Sequence, residues 1–384
     1  MASPLSFAWR QLLHGRLRLL VAIAGVAFAV VLMLMQLGFR NALFGSSVRT
    51  HSHLKADLVL ISPQSSYLAL MKPFSRRRLY QALATPGVES VAAIYCGLPD
   101  WKNPVTGTSR AIFVIGFDPK EAALDLPEVA ANLSAIAIPD RVLFDADSRP
   151  EFGPIAESVR AGKRVTAEVG KREVTVVGLY RLGTSFGIDG SLVTSDSNFL
   201  RIFTDRTPGS IQIGLVRLKP GVRPEEVRSA LAGSLPRDVI VLTRAAYMQR
   251  EIDYWAKLTP IGYVFTFGTI MGFVIGSIIV YQILFTDVTA HLPDYATLKA
   301  IGYGNAFLSV VVVLEAVFLA LLGYVPGLLI ALELYRLSQA ATLLPMELTP
   351  NVAWTVLGLT VLMCCVSGLL AMRRVRSADP AEIF

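Results

Sequence analysis

The chain has 384 residues, 53% of them hydrophobic and only 17% charged, with a formal net charge of +7. Length alone would allow two or three soluble domains, but a mean hydropathy of +0.53 argues against a purely soluble protein. The three cysteines, Cys96, Cys364 and Cys365, offer neither a disulfide framework nor a metal spacing, and the positive charge reflects span flanks plus a basic outer domain, so no nucleic-acid partner is expected.

Residues 1–17 read as a short amphipathic helix on the inner membrane surface, with Phe7, Trp9, Leu12 and Leu13 toward lipid and Arg10, Arg16 and Arg18 near head groups. Between Arg18 and Arg40 lies a charge-free apolar run of 21 residues, enough for the roughly 20 that cross a bilayer. It exceeds the roughly 7–15 residues of a signal core, and Gln36-Leu-Gly-Phe-Arg40 offers no small-x-small cleavage site, so it reads as an uncleaved anchor. Similar runs follow from Lys257 to Asp287 and from Glu347 to Arg373, and a fourth, from Lys299 to Glu333, is interrupted only by Glu315. The expected spans are therefore residues 18–40, 258–286, 306–334 and 352–372, in a 1+3 arrangement. Arginines before the first span and Arg373, Arg374 and Arg376 after the last place both termini in the cytoplasm. The segment 41–257 and a short loop 335–351 then lie outside, and residues 287–305 and the tail 373–384 inside.

The outer segment reads as a large α+β domain. Leu58–Ile61 and Val88–Tyr95 predict strands flanking a helix from Arg76 to Ala84 with Ser75 as its N-cap. Ile211–Leu218, a helix over Pro224–Leu235 and a strand at Val239–Leu242 repeat the pattern. Two such units suggest a ferredoxin-like sheet built from about 54–104 plus 209–242, with a mainly β lobe inserted at about 105–208. From about residue 243 the pattern turns helical and runs into the second span, with Thr243 as N-cap and Tyr247, Glu251, Tyr254 and Leu258 on one face. A continuous helix of some forty residues, about 60 Å long, would make a stiff stalk, with Asn41–His53 as a candidate partner.

On the inner side, Pro293 fits the first turn of a short helix and Gly302 its end, with Asp294-Tyr-Ala-Thr-Leu-Lys-Ala-Ile301 between them. Glu315 within the third span is costly in lipid, which points either to a packing or moving contact between helices or to a position near the inner surface. Gln36 and Gln282 are candidates for hydrogen bonds across helices.

Catalytic and metal motifs are absent or incomplete. Gly183-Thr-Ser-Phe-Gly187 matches a nucleophile elbow, but a turn follows it and the later histidine, His291, falls on the other side of the membrane. His51 and His53 lack a third ligand, and Asp145 and Asp147 lack the spacing of a calcium loop. Arg76-Arg-Arg78 reads as a solvated helix face or a site for acidic head groups or a partner. Gly162-Lys-Arg164 and Gly170-Lys-Arg172 lack the pieces of a phosphate-binding loop, so any ATP hydrolysis belongs to another chain.

The layout of one span, a large outer domain and three more spans resembles the MacB/FtsX-type permeases of ABC exporters. Leu58-Val-Leu-Ile-Ser-Pro-Gln64, Met71-Lys-Pro-Phe-Ser-Arg-Arg-Arg-Leu-Tyr80, Trp101-Lys-Asn-Pro104, Tyr281-Gln-Ile-Leu-Phe-Thr-Asp287, His291-Leu-Pro-Asp-Tyr-Ala-Thr-Leu-Lys-Ala-Ile-Gly302 and Arg376-Ser-Ala-Asp-Pro-Ala-Glu-Ile-Phe384 are similar to the DevC-type permeases of cyanobacterial glycolipid exporters. The resemblance implies an inner-membrane homodimer above two ATPase subunits that hold the ATP and magnesium, with no cofactor on this chain. It also implies a periplasmic membrane-fusion adaptor, a TolC-like outer-membrane channel, contact with membrane lipids, and cargo that is a glycolipid or another lipid or small molecule. Asp294, Tyr295, Ala296, Thr297, Leu298, Lys299, Ala300 and Ile301 would form the ATPase-coupling helix. An FtsX-like mechanical sensor that transports nothing is the alternative.

Overall fold

The structure, a computed structural model, describes residue 9, residues 16–121, 123–290, residue 297 and residues 301–377. In chain order the elements used below are helices α1 (Arg16–Ser47), α2 (Arg49–Ser52), α3 (Arg77–Leu83), α4 (Pro224–Ser234), α5 (Arg244–Asp253), α6 (Pro260–Ala290), α7 (Asn305–Thr342) and α8 (Pro350–Ser377). The strands are β1 (Leu58–Ile61), β2 (Phe74–Ser75), β3 (Val88–Gly97), β4 (Asp100–Lys102), β5 (Ser109–Ala111), β6 (Phe113–Phe117), β7 (Arg141–Asp145), β8 (Val165–Val169), β9 (Arg172–Tyr180), β10 (Ser191–Ser195), β11 (Ser210–Ile211), β12 (Ile213–Leu218) and β13 (Ile240–Thr243). Two compact units result: the long helices, up to Ala42 of the first, and a sheet unit of Leu43–Pro260 with Leu343–Pro345.

The sheet unit holds an 11-stranded sheet in the order β13-β1-β12-β3-β6-β10-β7-β9-β8-β4-β5. Its first four strands are antiparallel, with β1–α3–β3 interleaved with β12–α4–β13, the order of a split β-α-β pair. The inserted residues do not form a lobe of their own, as the sequence pattern suggested. Strand β3 is ten residues long, against a usual five or six; it pairs with β12 through Ile94 and with β6 from Ile94 to Gly97, so the insertion extends one sheet. β4, expected on the ferredoxin-like side, pairs with β5 and β8.

Strands β1, β6 and β10 are buried at every position, so both faces of the sheet are covered. Leu58 and Leu60 enter one core cluster while Val59 and Ile61 enter the other. On the first face Trp101 is fully buried and its indole N–H donates to Phe152 O at 3.0 Å. Helix α3 starts one residue later than expected: Arg76 occupies the cap position, and Ser75 Oγ accepts from Arg77 N–H at 3.3 Å. The basic run Arg76–Arg78 is partly neutralised, Arg78 by Asp238 at 3.0 Å and Arg76 by Glu121 at 3.8 Å.

Four helices among the described residues are long and apolar enough to cross a membrane: α1, α6, α7 and the greater part of α8. α1 lies within their common core, with Val26, Ala29, Val30, Met33 and Leu34 buried against residues of the other three helices. Glycines permit that approach. Gly268, Gly272 and Gly276 of α6 line up at every fourth residue, as do Gly323 and Gly327 of α7. A Cβ on Gly276 would lie 2.6 Å from Ala29 Cβ, and one on Gly323 would lie 2.5 Å from Val26. Ser367 Oγ donates to Ser277 O at 2.9 Å and Tyr324 Oη to Ala353 O at 2.9 Å, adding polar links between helices.

The helix ends differ from the expected ones for local reasons. α1 runs to Ser47, because no breaker intervenes and Ser46 and Ser47 hydroxyls donate back to the carbonyls of Leu43 and Phe44. α7 continues to Thr342 despite Pro326, and stops where Leu343 takes φ 59°, so the loop expected at 335–351 shrinks to 343–349. The forty-residue stalk helix is not formed. After α5 comes a π-helical turn, Tyr254–Leu258, and Thr259 is extended at φ −118°, ψ 155° before α6 begins at Pro260. Proline has no N–H to donate and its ring disfavours helical geometry in the preceding residue.

Two predictions follow from this packing. Gly276→Ala should lower the thermal midpoint of the purified protein, at an overpacking cost of about 1–3 kcal/mol, whereas Gly358→Ala, which meets nothing within 4 Å, should not; equal midpoints would refute the close approach. Asp140, at φ 60°, binds Arg172 through two hydrogen bonds of 2.8 Å and also pairs with Arg201. The Arg172 hydrogen bond is the main effect holding its carboxyl below the ordinary 3.8. That stabilisation is present above the ordinary carboxylate range and is lost as pH falls through the depressed folded value. Asp140→Asn, which tolerates the positive φ, should cost up to about 1 kcal/mol at neutral pH, and the deficit against wild type should close in acid melts.

Candidate functional site

The sheet unit gathers its buried charge where the chain arrives from α1 and departs toward α6. Thr243 Oγ1 accepts from Ala246 N–H at 3.1 Å and starts α5, which turns Tyr247 and Glu251 inward to 2% and 4% exposure. The short helix α2 packs beside it and buries His51 completely. The His51 ring lies 4.4 Å from that of Tyr247, and its Nε2 is 3.6 Å from Glu251 Oε2.

A carboxylate this deep is tolerated only with donors around it. Glu251 Oε2 accepts from Leu68 N–H at 2.9 Å and Oε1 from the Trp255 indole N–H at 3.0 Å. The i,i+4 spacing of Glu251 and Trp255 is helical, whereas Leu68 comes from a distant turn. Burial pushes the Tyr247 phenol well above its usual range, with Cys96 and Glu251 adding to it, so the ring stays neutral beside the carboxylate. Tyr67 is raised by burial first, then by Tyr254 and Glu251, and its ring stacks on Tyr254 at 4.8 Å.

The loop Gly183–Gly187 closes the site. Asp145, at the end of β7 and fully buried, accepts from Gly183 N–H at 2.8 Å, Leu182 N–H at 3.1 Å, Asp147 N–H at 3.1 Å and Ser191 Oγ at 3.2 Å. Burial raises its carboxyl pKa, with the three backbone donors opposing. Leu182 O in turn accepts from Arg49 Nη1 of α2 at 3.0 Å, and Thr184 Oγ1 donates to Leu343 O at 3.2 Å. Phe186 meets Trp255 edge-on at 5.3 Å, and Trp255 meets Tyr67 at 5.2 Å. One connected network thus ties β7, the loop, α2, α5 and the turn at Leu68.

Several expectations are revised by this geometry. Ser185 N–H donates to Ile188 O at 2.8 Å in a turn, and strand β10 rather than a helix follows, so the nucleophile-elbow reading fails. Of the four stalk residues, Tyr247 and Glu251 are buried and Tyr254 stacks on Tyr67. Leu258 is 77% exposed, because the wider π turn rotates it off the shared face. Gln36 packs its amide against Gly268 of α6, and Gln282 is exposed on α6 rather than bonded across to another helix. Glu315 is fully buried on α7, in the core with Val312 and Ala316.

Of the coupling segment, Asp294, Tyr295, Ala296, Leu298, Lys299 and Ala300 lie outside the described residues. Ile301 N–H donates to Thr297 O at 3.1 Å, Ile301 is 71% exposed, and Gly302 has φ 102°. No group of three or more potential metal ligands occurs among the described residues. Sequence reasoning treated His51, Asp145 and the glycine loop separately; only folding brings them together with Glu251.

Residues 19–234, more than half of the chain, match the MacB-like periplasmic core domain family, and residues 266–380 match the FtsX-like permease C-terminal family. An uncharacterized ABC transporter permease of Mycobacterium tuberculosis is 23% identical over 382 residues, covering 98% of this chain and 96% of that relative. Among solved structures, the periplasmic region of MacB from Actinobacillus actinomycetemcomitans aligns at 13% identity over 53% of this chain and 94% of that one, with a TM-score of 0.33. The extracellular domain of the noncanonic ABC-type transporter YknZ from Gram-positive bacteria aligns at 11% identity over 48% and 99%, with a TM-score of 0.34. With a MacB-like domain between the first and second of four span-length helices and an FtsX-like C-terminal part, the chain belongs to the MacB/FtsX-like family of ABC transporter permeases.

Proposed function

We propose that this permease carries motion from a partner ATPase to the sheet unit, and so drives export of a glycolipid or another lipid or small molecule through an adaptor and an outer-membrane channel. An ABC permease works with an ATPase subunit; this chain carries no phosphate-binding loop of its own. In the proposed assembly two copies sit in the inner membrane with both termini in the cytoplasm. A membrane-fusion adaptor and a TolC-like channel continue the path outward.

The observation that carries this reading is the network around Glu251. A displacement of the chain leaving α1 acts on α2, and through Arg49 and His51 on the loop, Asp145 and α5. Because Arg49, Asp145 and Glu251 are held by hydrogen bonds and His51 is packed between Tyr247 and Glu251, these segments move as one body with the sheet. The break at Thr259 removes the continuous-rod version of this mechanism, so the network takes over the role assigned to the stalk helix. The coupling segment 294–301 is proposed as the input, with Leu298 as an apolar contact for a groove on the ATPase. Buried Glu315 is proposed as a contact between helices that rearranges during the cycle.

Input and output are separable by experiment. Leu298→Glu should abolish permease-stimulated ATP hydrolysis in the reconstituted complex while membrane insertion is kept; unchanged stimulation sinks the coupling assignment. Glu251→Ala should retain stimulated hydrolysis but lower cargo release about tenfold, equivalent to about 1.4 kcal/mol of lost coupling. Comparing the lipids and secreted compounds of a deletion strain with its parent then identifies the cargo. A strain that loses ATPase-coupled signalling but no compound would favour the FtsX-like sensor.

A further inference from the structure

The loop Gly183–Gly187 is inside out for a water-exposed turn. Its polar side chains are hidden, with Thr184 at 1% and Ser185 at 9% exposure, while Phe186 is 48% exposed. A loop in water ordinarily does the reverse. The inversion is held in place: Asp145 anchors the loop at Gly183, the Thr184 hydroxyl is committed to Leu343 O, and Ser185 is turned back on Ile188. Gly183 has φ 83°, a conformation that favours glycine.

The apolar surface extends beyond the loop within the same unit. Leu70, in the turn whose Leu68 N–H is held by Glu251, is 52% exposed, and Leu258 is 77% exposed. Beside them Tyr67, Tyr254 and Trp255 contact one another, and Trp255 also contacts Phe186. Chain connectivity ties this surface to the ends of two span-length helices. Leu258 is two residues before Pro260, where a span-length helix begins, and Leu343 directly follows Thr342, where another ends. Trp255, in ring contact with Phe186, is five residues before Pro260, no more than about 18 Å of chain. Tyrosine and tryptophan gather at membrane–water interfaces, where an apolar ring body and a polar edge are both accommodated.

We propose that Phe186 and Leu70 form a membrane-contacting wedge, inserted among the upper acyl chains of the leaflet on the sheet unit's side. The wedge is clamped to the Glu251 network through Trp255, so motion of that network also moves a side chain lodged in lipid. This contact needs neither the ATPase nor a known cargo, and its failure would leave the export reading standing.

The test is spin labelling of Phe186→Cys and, separately, Leu70→Cys in the full chain reconstituted in phospholipid nanodiscs. The unsubstituted chain serves as blank for the native cysteines, and Val105→Cys, 71% exposed on the hairpin between β4 and β5, as aqueous reference. Leu70 is distant in sequence from the spans, so lipid contact there is not a trivial consequence of a neighbouring transmembrane helix. At both sites collisions with oxygen, which concentrates in lipid, should exceed those with a water-soluble nickel chelate several-fold, with the ratio inverted at Val105. Nickel dominating at position 186 or 70 would place the surface in water and overturn the proposal. Low collision rates with both reagents would mean that protein, such as a second copy of the chain, covers it, which overturns it equally.

Discussion

Placing the Glu251 carboxylate at 4% exposure demands several partners at once, and the base of the sheet unit is arranged around meeting that demand. Leu68 must bring a backbone N–H, Trp255 its indole, and His51 its ring. Each requirement fixes a different stretch of chain: the turn before β2, the π turn after α5, and α2 after α1. An apolar residue at 251 would demand none of these positions. The cost of burying the charge is thereby converted into a unique arrangement of three otherwise unrelated segments, the kind of specificity that buried polar groups can confer. Asp145 does the same on the other side of the site, where one carboxylate accepting from Leu182, Gly183 and Ser191 defines where the glycine loop sits.

The helical unit answers to a different constraint. Lipid supplies no hydrophobic drive between helices, so association depends on close fit. The glycines of α6 and α7 provide it by admitting α1 between them, and the first span becomes part of the shared helical core rather than an outlying anchor. The helix that enters the sheet unit at Leu43 is therefore itself held among its neighbours in the helical unit.

What could be read from the sequence follows from the range of the forces involved. Long apolar runs, only one of them interrupted by a charge, gave four spans because bilayer thickness is a local constraint on length. Alternating and helical patterns located strands β1, β3, β12 and β13 and the helices α3, α4 and α5, and Thr243 was legible as a cap because capping spans only three residues. Pro260 was equally visible, yet the apolar run around it hid the break it imposes. The regular glycine spacing at 268, 272 and 276 is present in the sequence, but spacing alone does not say which helix packs on it. The joining of the inserted strands to β3 was not legible, since nothing local tells a ten-residue strand that it will change partners halfway. Nor was the site, because His51, Leu68, Asp145 and Glu251 are linked by contacts across as many as 200 positions (His51 to Glu251), and no short-range pattern encodes them.

The break at Thr259 then changes what kind of device the site is. A continuous helix through the membrane would carry bending and rotation along its axis, and its stiffness would set how much motion reached the sheet unit. An extended residue before a proline cannot do that, because the backbone hydrogen bonds that make a helix rigid are interrupted there. What passes such a joint is displacement of its ends. Displacement is useful only if the receiving segment is stiff, and the π turn meets that need: Trp255 is fixed by Glu251, Tyr67 and Phe186, and Thr259 Oγ1 donates to Trp255 O at 2.7 Å. The rigid part of the proposed lever is therefore the aromatic and carboxylate network of the sheet unit. Its compliant part is the single extended residue beside the span.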